Sequence, residues 1–156
     1  ATALESFKKP PHRIEFVRKR QGVSYFDDSK GTSVDAVIKA VHSLKGGIVL
    51  IVGGLDKGGS YAPWLKEFEG RVSAICAIGQ AAPLIKRELA SRYAVELLPD
   101  LEQAVHWATA RAGEGDNVLL SPGCSSWDMF KDYAHRGDEF KRIVLSLPEE
   151  GAGKAS

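Results

Sequence analysis

The sequence predicts a doubly wound α/β domain, in which helices cover both faces of a largely parallel sheet. Short apolar runs typical of buried strands alternate with segments of helical periodicity along most of the chain. Strands and helices in alternation imply right-handed crossovers within one sheet. At 156 residues the chain fits one domain.

The first predicted element is a β-hairpin. Two extended runs, Ile14 to Arg18 and Val23 to Phe26, contain alternating β-branched and aromatic residues and are joined through Gln21-Gly22. The pattern then becomes helical, with Thr32 predicted as the N-cap and Gly46 as the stop. The apolar face of this helix consists of Val34, Val37, Ile38, Val41 and Leu44.

Strand and helix then recur in the same order. Each strand is a short apolar run, and each helix is marked by an apolar face or by a capping residue. The next predicted elements are a strand at 47–52, a helix at 62–68, a strand at 72–78 and a helix at 83–92. The last are a strand at 94–98, a helix capped by Asp100 with the apolar face Leu101, Ala104, Val105 and Ala108, a strand at 117–121, and a helix built on Met129, Tyr133, Phe140 and Val144.

Composition argues against several classes of function. Lys and Arg total 21 against 20 for Asp and Glu, so the net charge of +1 predicts binding to neither nucleic acid nor anionic membrane. No apolar stretch approaches the roughly 20 residues of a membrane span, and residues 1–13 lack the apolar middle of a signal peptide. Cys76 and Cys124 lie far apart and are interpreted as thiols. These features predict a cytoplasmic protein.

The sequence lacks the common motifs for nucleotide turnover and for metal binding. The segment Ser29 to Ser33 has a lysine, but not the glycine that begins a phosphate-binding G-x-x-x-x-G-K-[ST] loop. We therefore do not expect the chain alone to turn over ATP. The histidines show no metal-ligand spacing, so we expect no metal held by this chain.

In a sheet of this kind, ligands bind outside the carboxyl ends of the strands. The predicted loops at that edge carry two lysines, Lys30 and Lys57, and hydroxyls placed just before a predicted helix, on Thr32 and Ser125-Ser126. Amines, hydroxyls and helix N-termini along one edge favour a small anion, meaning a carboxylate or a phosphate. The loops concerned are 27–32, 53–59, 79–80, 99–100 and 121–126.

Each of these signals also has a purely structural interpretation, which the residues alone leave open. Asp27 to Lys30 is compatible with an ordinary polar turn, and Lys57 with a solvated surface amine. Ser125-Ser126 is compatible with a cap of the last helix. Cys124 is interpreted as a buried small residue and not as a nucleophile, because the phosphatase-type spacing would need an arginine where Phe130 stands.

Four motifs, in this order and at these separations, resemble the C-terminal domain of the Mur ligases. They are "PHR" (11–13), "DDSKGTS" (27–33), "GGLDK" (53–57) and "LLSPGCSSWDMFKDYAHRGDEF" (119–140). The resemblance runs from about Leu4 to about Leu147, and the last motif is similar to that of the branch that adds D-glutamate. It implies a Rossmann-like three-layer α/β/α domain whose six-stranded sheet is mostly parallel. One antiparallel strand belongs to that fold, in agreement with the predicted hairpin.

The resemblance also implies a three-domain ligase that uses ATP to join D-glutamate to UDP-MurNAc-L-alanine in peptidoglycan synthesis. Residues 1–10 would be the remnant of a linker from a central ATPase domain, 11–147 the amino-acid-binding domain and 148–156 a mobile tail. ATP and Mg²⁺ would be bound mainly by the central domain. This domain would bind D-glutamate, close over ATP against the other two domains of a monomer, and be inactive alone.

The resemblance assigns binding roles to two sets of residues, and no catalytic or metal-binding role. The positions that match D-glutamate contacts are Thr32, Lys57, Ser126, Trp127 and Tyr133. The positions that match or adjoin contacts to the ATP ribose are His12, Arg13, Asp28 and Lys30. Ser126 is further expected to present its hydroxyl and N–H from a helix N-terminus to an anion. The departures from the usual family residues are Gly31, Ser33, Trp127 and Tyr133, where alanine, asparagine, a smaller apolar residue and phenylalanine are common.

Two rival functions would use some of the same residues. A receiver-like signalling module would explain Asp27-Asp28 and Asp56 as a phosphoacceptor pocket, but it requires a lysine followed by proline where Ser121-Pro122 stands. A stand-alone domain that binds small dicarboxylates would use the same lysines and hydroxyls without catalysis. Its reading frame would lack the two further domains that a ligase needs.

Overall fold

The computed structural model describes residues 10–126 and 129–149. The linker and tail predicted at the two ends, and the site residue Trp127, fall wholly or largely outside these ranges. The strands are β1 (Glu15–Arg20), β2 (Val23–Asp27), β3 (Ile48–Gly53), β4 (Val72–Ile78), β5 (Glu96–Leu97) and β6 (Asn117–Leu120). The helices are α1 (Val34–Ser43), α2 (Trp64–Glu67), α3 (Ala82–Leu89), α4 (Leu101–Arg111) and α5 (Tyr133–Ser146).

The strands of the described ranges form one six-stranded sheet in the order β1-β2-β6-β3-β4-β5. β1 pairs with β2 in antiparallel fashion, and the other pairs are parallel. The two-residue connection Gln21-Gly22 makes this hairpin possible, because both residues adopt the positive φ angles that such tight turns require. The predicted α/β fold with one antiparallel strand is therefore confirmed.

Two helical layers cover the sheet. α1, α2 and α3 pack on one face around Trp64 and Phe68, which are both fully buried. α4 and α5 pack on the other face, where Phe140 and Val144 of α5 meet the apolar face of α4. β3 lies in the middle of the sheet, and all six of its residues are buried, as expected of a parallel strand covered on both sides. Within the described ranges, every helix is too short or too polar to cross a lipid bilayer.

The predicted start of α1 is wrong by one residue. The helix begins after Ser33, whose Oγ accepts a hydrogen bond from the N–H of Ala36 at 3.1 Å, so Thr32 is not the cap. Threonine and serine are both common capping residue types, so the sequence alone does not choose between positions 32 and 33. The helix also ends at Ser43, before the predicted stop. The predicted cap of α4 is confirmed, since Asp100 accepts from the N–H of Gln103 at 2.8 Å.

The predicted start of the last helix is also wrong. α5 begins at Tyr133, with Asp132 as its cap, and Asp132 accepts from the N–H of His135 at 2.8 Å. Ser126 therefore does not lie at a helix N-terminus, and Ser125-Ser126 does not cap this helix. At its other end α5 is held to β1, because Arg18 donates to the carbonyls of Val144 and Leu147 at 3.0 and 2.9 Å.

Gly137 allows α5 to approach the end of β2 closely. A methyl group at this position would overlap Nδ1 of His12, Oγ of Ser29 and Oδ2 of Asp27, all of which are buried. Glycine costs stability in a helix, so its presence here reflects the space required by the hairpin and by the loop after it.

We expect Gly137→Ala to destabilise the domain by about 1–3 kcal/mol, because overpacking outweighs the gain in helix propensity. The midpoint of urea denaturation measures this change. Gly113→Ala is the matched control, since the nearest atom outside its own neighbours would lie 3.8 Å from the new methyl group. Equal stabilities of the two variants would contradict the prediction.

Candidate functional site

The loops that follow β2, β3 and β6 are joined to one another by backbone hydrogen bonds. Gly123 donates its N–H to the carbonyl of Gly31 at 2.8 Å, which joins the β6 loop to the β2 loop. Leu55 and Ser125 form a short antiparallel bridge with hydrogen bonds of 2.8 and 3.2 Å, which joins the β3 loop to the β6 loop. Residues far apart in sequence are thus brought to one edge of the sheet, as the sequence predicted.

A buried arginine fixes two of these loops, those after β2 and β6, to α5. The Arg136 side chain is almost fully buried, and its guanidinium donates to the carbonyls of Ser29 and Cys124 at 2.9 and 3.1 Å. Cys124 itself is buried and forms no disulfide, which confirms its interpretation as a buried thiol. The loops at this edge are therefore held by backbone and side-chain contacts together.

One pocket at this edge has a volume of about 340 Å³, and we name it the Ser126 pocket. Four of the residues predicted to contact D-glutamate line it together. The fifth, Trp127, lies outside the described residues. The lining residues are Thr32, Lys57, Ser125, Ser126, Asp132 and Tyr133.

The charges of the Ser126 pocket suit an anion. Lys57 is exposed, and its ammonium has no hydrogen bond or ion pair with any residue in the described part of the chain. Thr32 adds a hydroxyl, and it is free for this role because Ser33 caps α1. Asp132 is the acidic residue of the lining, and one of its oxygens is engaged by the cap of α5. The pocket can therefore pair a carboxylate with an ammonium and hydroxyl donors.

A second pocket, of about 270 Å³, is also lined in part by the β2 loop, and we name it the Asp28 pocket. Arg13, Asp28 and Lys30, which were predicted to lie near the ATP ribose, all line it. The Asp28 carboxylate accepts from the N–H of Ile14 at 3.0 Å and from Oγ of Ser121 at 2.6 Å. Burial nevertheless raises the pKa of Asp28 to about 6, because desolvation outweighs these hydrogen bonds.

His12 does not line the Asp28 pocket. Its Nδ1 lies 2.7 Å from Oδ2 of Asp27, and its backbone N–H donates to Glu15 at 3.0 Å. Donor atoms of His12, Glu15 and Asp27 lie within 4.8 Å of one another, which is the spacing of a possible cation site. Glu15 is already paired with Lys141 at 2.8 Å, however. Burial raises the pKa of Glu15, but the hydrogen bonds from Lys141 and His12 leave it below its usual value, so the cluster is explained as a hydrogen-bonded network.

Two contacts at this edge were not predicted. Nζ of Lys30 lies 3.2 Å from the hydroxyl of Tyr133, and 5.0 Å from the centre of its ring, which links the two pockets. Tyr61 donates its hydroxyl to Asp56 at 2.8 Å, and the same hydroxyl lies 3.1 Å from Sγ of Cys124. An aromatic residue beside a helix usually belongs to the core, so the sequence carried no signal for this second contact.

Comparison with known proteins places the domain in a family. The family model described as "Mur ligase, glutamate ligase domain" matches residues 12–124. The UDP-N-acetylmuramoylalanine-D-glutamate ligase of Protochlamydia amoebophila is 54% identical over 145 residues, which are 93% of this chain and 33% of that protein. The enzyme of the same name from Caldanaerobacter subterraneus is 46% identical, over 94% of this chain and 33% of its own length.

Solved structures share the fold at lower identity. The UDP-N-acetylmuramate-alanine ligase of Thermotoga maritima superposes with a TM-score of 0.63 at 14% identity, over 93% of this chain and 32% of that one. The bifunctional folylpolyglutamate synthase/dihydrofolate synthase of Yersinia pestis gives the same TM-score at 19% identity, over 88% and 32% of the two chains. The chain thus spans about a third of the curated relatives it matches. It belongs to the family of Mur ligase glutamate ligase domains.

Proposed function

We propose that this chain is the amino-acid-binding domain of an ATP-dependent ligase that joins D-glutamate to UDP-MurNAc-L-alanine. The names of the relatives support this activity, and their length supports a ligase about three times as long as the chain. The observation that carries the proposal is the meeting of Lys57, Thr32 and Ser126 at one pocket. A stand-alone binding module is less well supported, because the chain matches only 33% of the length of its relative from Protochlamydia amoebophila.

D-Glutamate has two carboxylates and one amine, and only the amine reacts. In the proposed complex Lys57 pairs with one carboxylate, while the hydroxyls of Thr32 and Ser126 donate to the carboxylates as well. Tyr133 closes the end of the pocket, and Trp127 is proposed to lie beside it. Holding both acid groups leaves the amine to face the acyl phosphate, so this domain contributes orientation to the reaction.

ATP is proposed to approach the Asp28 pocket when the domain closes. Asp28 would accept hydrogen bonds from the ribose hydroxyls, with Arg13 and Lys30 beside it. His12 would not contact the ribose itself; it would hold the β2 loop in place through its contact with Asp27. ATP supplies the phosphoryl group that activates the acceptor carboxylate, and Mg²⁺ offsets its charge. The chain has no phosphate-binding G-x-x-x-x-G-K-[ST] loop. Phosphates and Mg²⁺ would therefore be held mainly by the rest of the ligase.

The proposal includes the organisation of the whole protein. Residues 11–147 would form the amino-acid-binding domain, 1–10 a linker to a central domain, and 148–156 a tail. We propose that the full-length ligase is a cytoplasmic monomer whose N-terminal and central domains contact this domain across the two pockets.

We expect Lys57→Ala in the full-length ligase to raise the KM for D-glutamate about 10- to 100-fold, because a charge-assisted hydrogen bond is lost. The KM for ATP should change less than about threefold. Steady-state kinetics with each substrate varied in turn measures both values.

Lys45→Ala is the matched control for this variant, since Lys45 is an exposed lysine before β3, at the opposite end of that strand. It should leave both KM values unchanged. A D-glutamate KM that Lys57→Ala leaves at its original value would refute the proposed pocket.

We expect Asp28→Asn to weaken nucleotide use while it stabilises the domain. Asn has the same shape as Asp, and the KM for ATP should rise about tenfold because a charged acceptor is lost. The raised pKa of Asp28 means that the folded state binds its proton more tightly than the unfolded state. The contribution of this carboxyl to stability is therefore present below pH about 4 and is lost as the pH rises through about 6.

Urea denaturation of this chain between pH 4 and pH 8 tests the second effect. The free energy of unfolding of Asp28→Asn should not show the decrease near pH 6 that is due to Asp28. At pH 7 the variant should therefore be more stable than the original protein, by a free energy on the order of 2 kcal/mol. Parallel pH curves for the two proteins would contradict the burial argument.

We expect the isolated chain to bind ATP weakly or not at all, because the phosphate contacts are proposed to lie elsewhere in the ligase. Isothermal titration calorimetry with Mg²⁺ and ATP checks this expectation. A dissociation constant in the low micromolar range would show that the chain holds the phosphates itself.

A further inference from the structure

We propose that Tyr61 is a positioning residue for Lys57, and that its hydroxyl fixes the loop from which the ammonium reaches D-glutamate. This inference rests on the proposed function and adds a residue to it. Tyr61 does not line the Ser126 pocket, so it would act on D-glutamate indirectly, through the loop that carries Lys57.

The Tyr61 hydroxyl connects the two loops that flank the Ser126 pocket. It donates to Oδ1 of Asp56 at 2.8 Å, and Asp56 is the residue directly before Lys57. The same oxygen lies 3.1 Å from Sγ of Cys124, on the loop that leads to Ser126. Because the hydroxyl donates its hydrogen bond to Asp56, its oxygen can accept a hydrogen bond from the Cys124 thiol. Both contacts can therefore form at once.

The tyrosine is itself held rigidly. Its side chain is only 2% exposed, and its ring packs against Trp64 with centroids 5.1 Å apart. Its backbone N–H donates to Glu88 of α3 at 2.7 Å. Burial raises the pKa of Tyr61, and the hydrogen bonds to Cys124 and Asp56 raise it further, so the phenol keeps its proton at any physiological pH.

On the far side of Lys57, Gly58 and Gly59 are exposed, and a methyl group built on either would meet no atom within 4 Å. Beyond them, the Ser60 hydroxyl and the N–H of Tyr61 donate to Glu88 at 3.2 and 2.7 Å. On the near side, the N–H of Asp56 donates to Oε1 of Gln80 at 2.8 Å, and its carboxylate is held by Tyr61. Asp56 is therefore the last fixed point before the lysine.

The test is Tyr61→Phe in the full-length ligase, which keeps the buried ring and removes only the hydroxyl. We expect the KM for D-glutamate to rise about 3- to 10-fold, which is less than the direct loss of a hydrogen bond to a charged group, because the effect reaches Lys57 through the loop. The kcat and the KM for ATP should stay within about twofold, because the nucleotide side is untouched. An unchanged KM for D-glutamate would overturn the inference.

Tyr93→Phe is the matched control. The Tyr93 hydroxyl also makes two hydrogen bonds, to the carbonyls of Phe68 and Val72 at 3.4 and 3.2 Å, but at the amino end of β4, away from the pocket. It should lower the melting temperature as Tyr61→Phe does and leave the KM for D-glutamate unchanged. An equal rise in KM for both variants would show a general effect of stability and would also overturn the inference.

A double variant separates this inference from the proposed function. If Tyr61 acts through Lys57, Tyr61→Phe should add nothing to the KM for D-glutamate in a Lys57→Ala background. A full additional effect in that background would overturn the positioning role. If Lys57→Ala alone leaves the KM unchanged, the proposed pocket fails; if Lys57→Ala raises it and Tyr61→Phe does not, only the inference fails.

Discussion

The hydrogen bonds among the loops that follow β2, β3 and β6 are the constraint on which the candidate site depends. Parallel strands bring their carboxyl ends to one edge, but they do not by themselves fix the loops that leave that edge. Here the N–H of Gly123 reaches the carbonyl of Gly31, and Leu55 pairs with Ser125, so three loops behave as one surface. Ordering this surface during folding removes an entropic cost that ligand binding would otherwise include.

Several polar groups are buried beside this surface, and each costs stability. Asp28 is nearly inaccessible and keeps its proton to an unusually high pH, and Arg136 places a guanidinium in the interior. Both groups hydrogen bond to backbone atoms or hydroxyls of the loops, which limits their cost and fixes the chain around them. Burial of Asp28 and Arg136 therefore lowers the stability of the domain but fixes the positions of these charges, a compromise that binding sites commonly show.

The sequence predicted the layers and the loop edge well, because both follow from patterns a few residues long. The strand from Val72 to Ile78 has the predicted bounds, and Asp100 caps its helix as predicted. The sequence-based prediction was wrong where two neighbouring residues could both cap a helix, as Thr32 and Ser33 could at α1. It was also wrong where a helix starts later than its apolar periodicity indicates, as α5 does. The contact of Tyr61 with Cys124 and that of Lys30 with Tyr133 join residues far apart in the sequence, and local patterns do not encode such contacts.

Lys57 borders a third cavity as well, of about 220 Å³, which it shares with Val34, Tyr61 and Gly123 among others. The side chain of Lys57 therefore lies between two cavities. A single flexible amine can enter one of them at a time, so an anionic compound bound in the third cavity would compete with the Ser126 pocket for the ammonium.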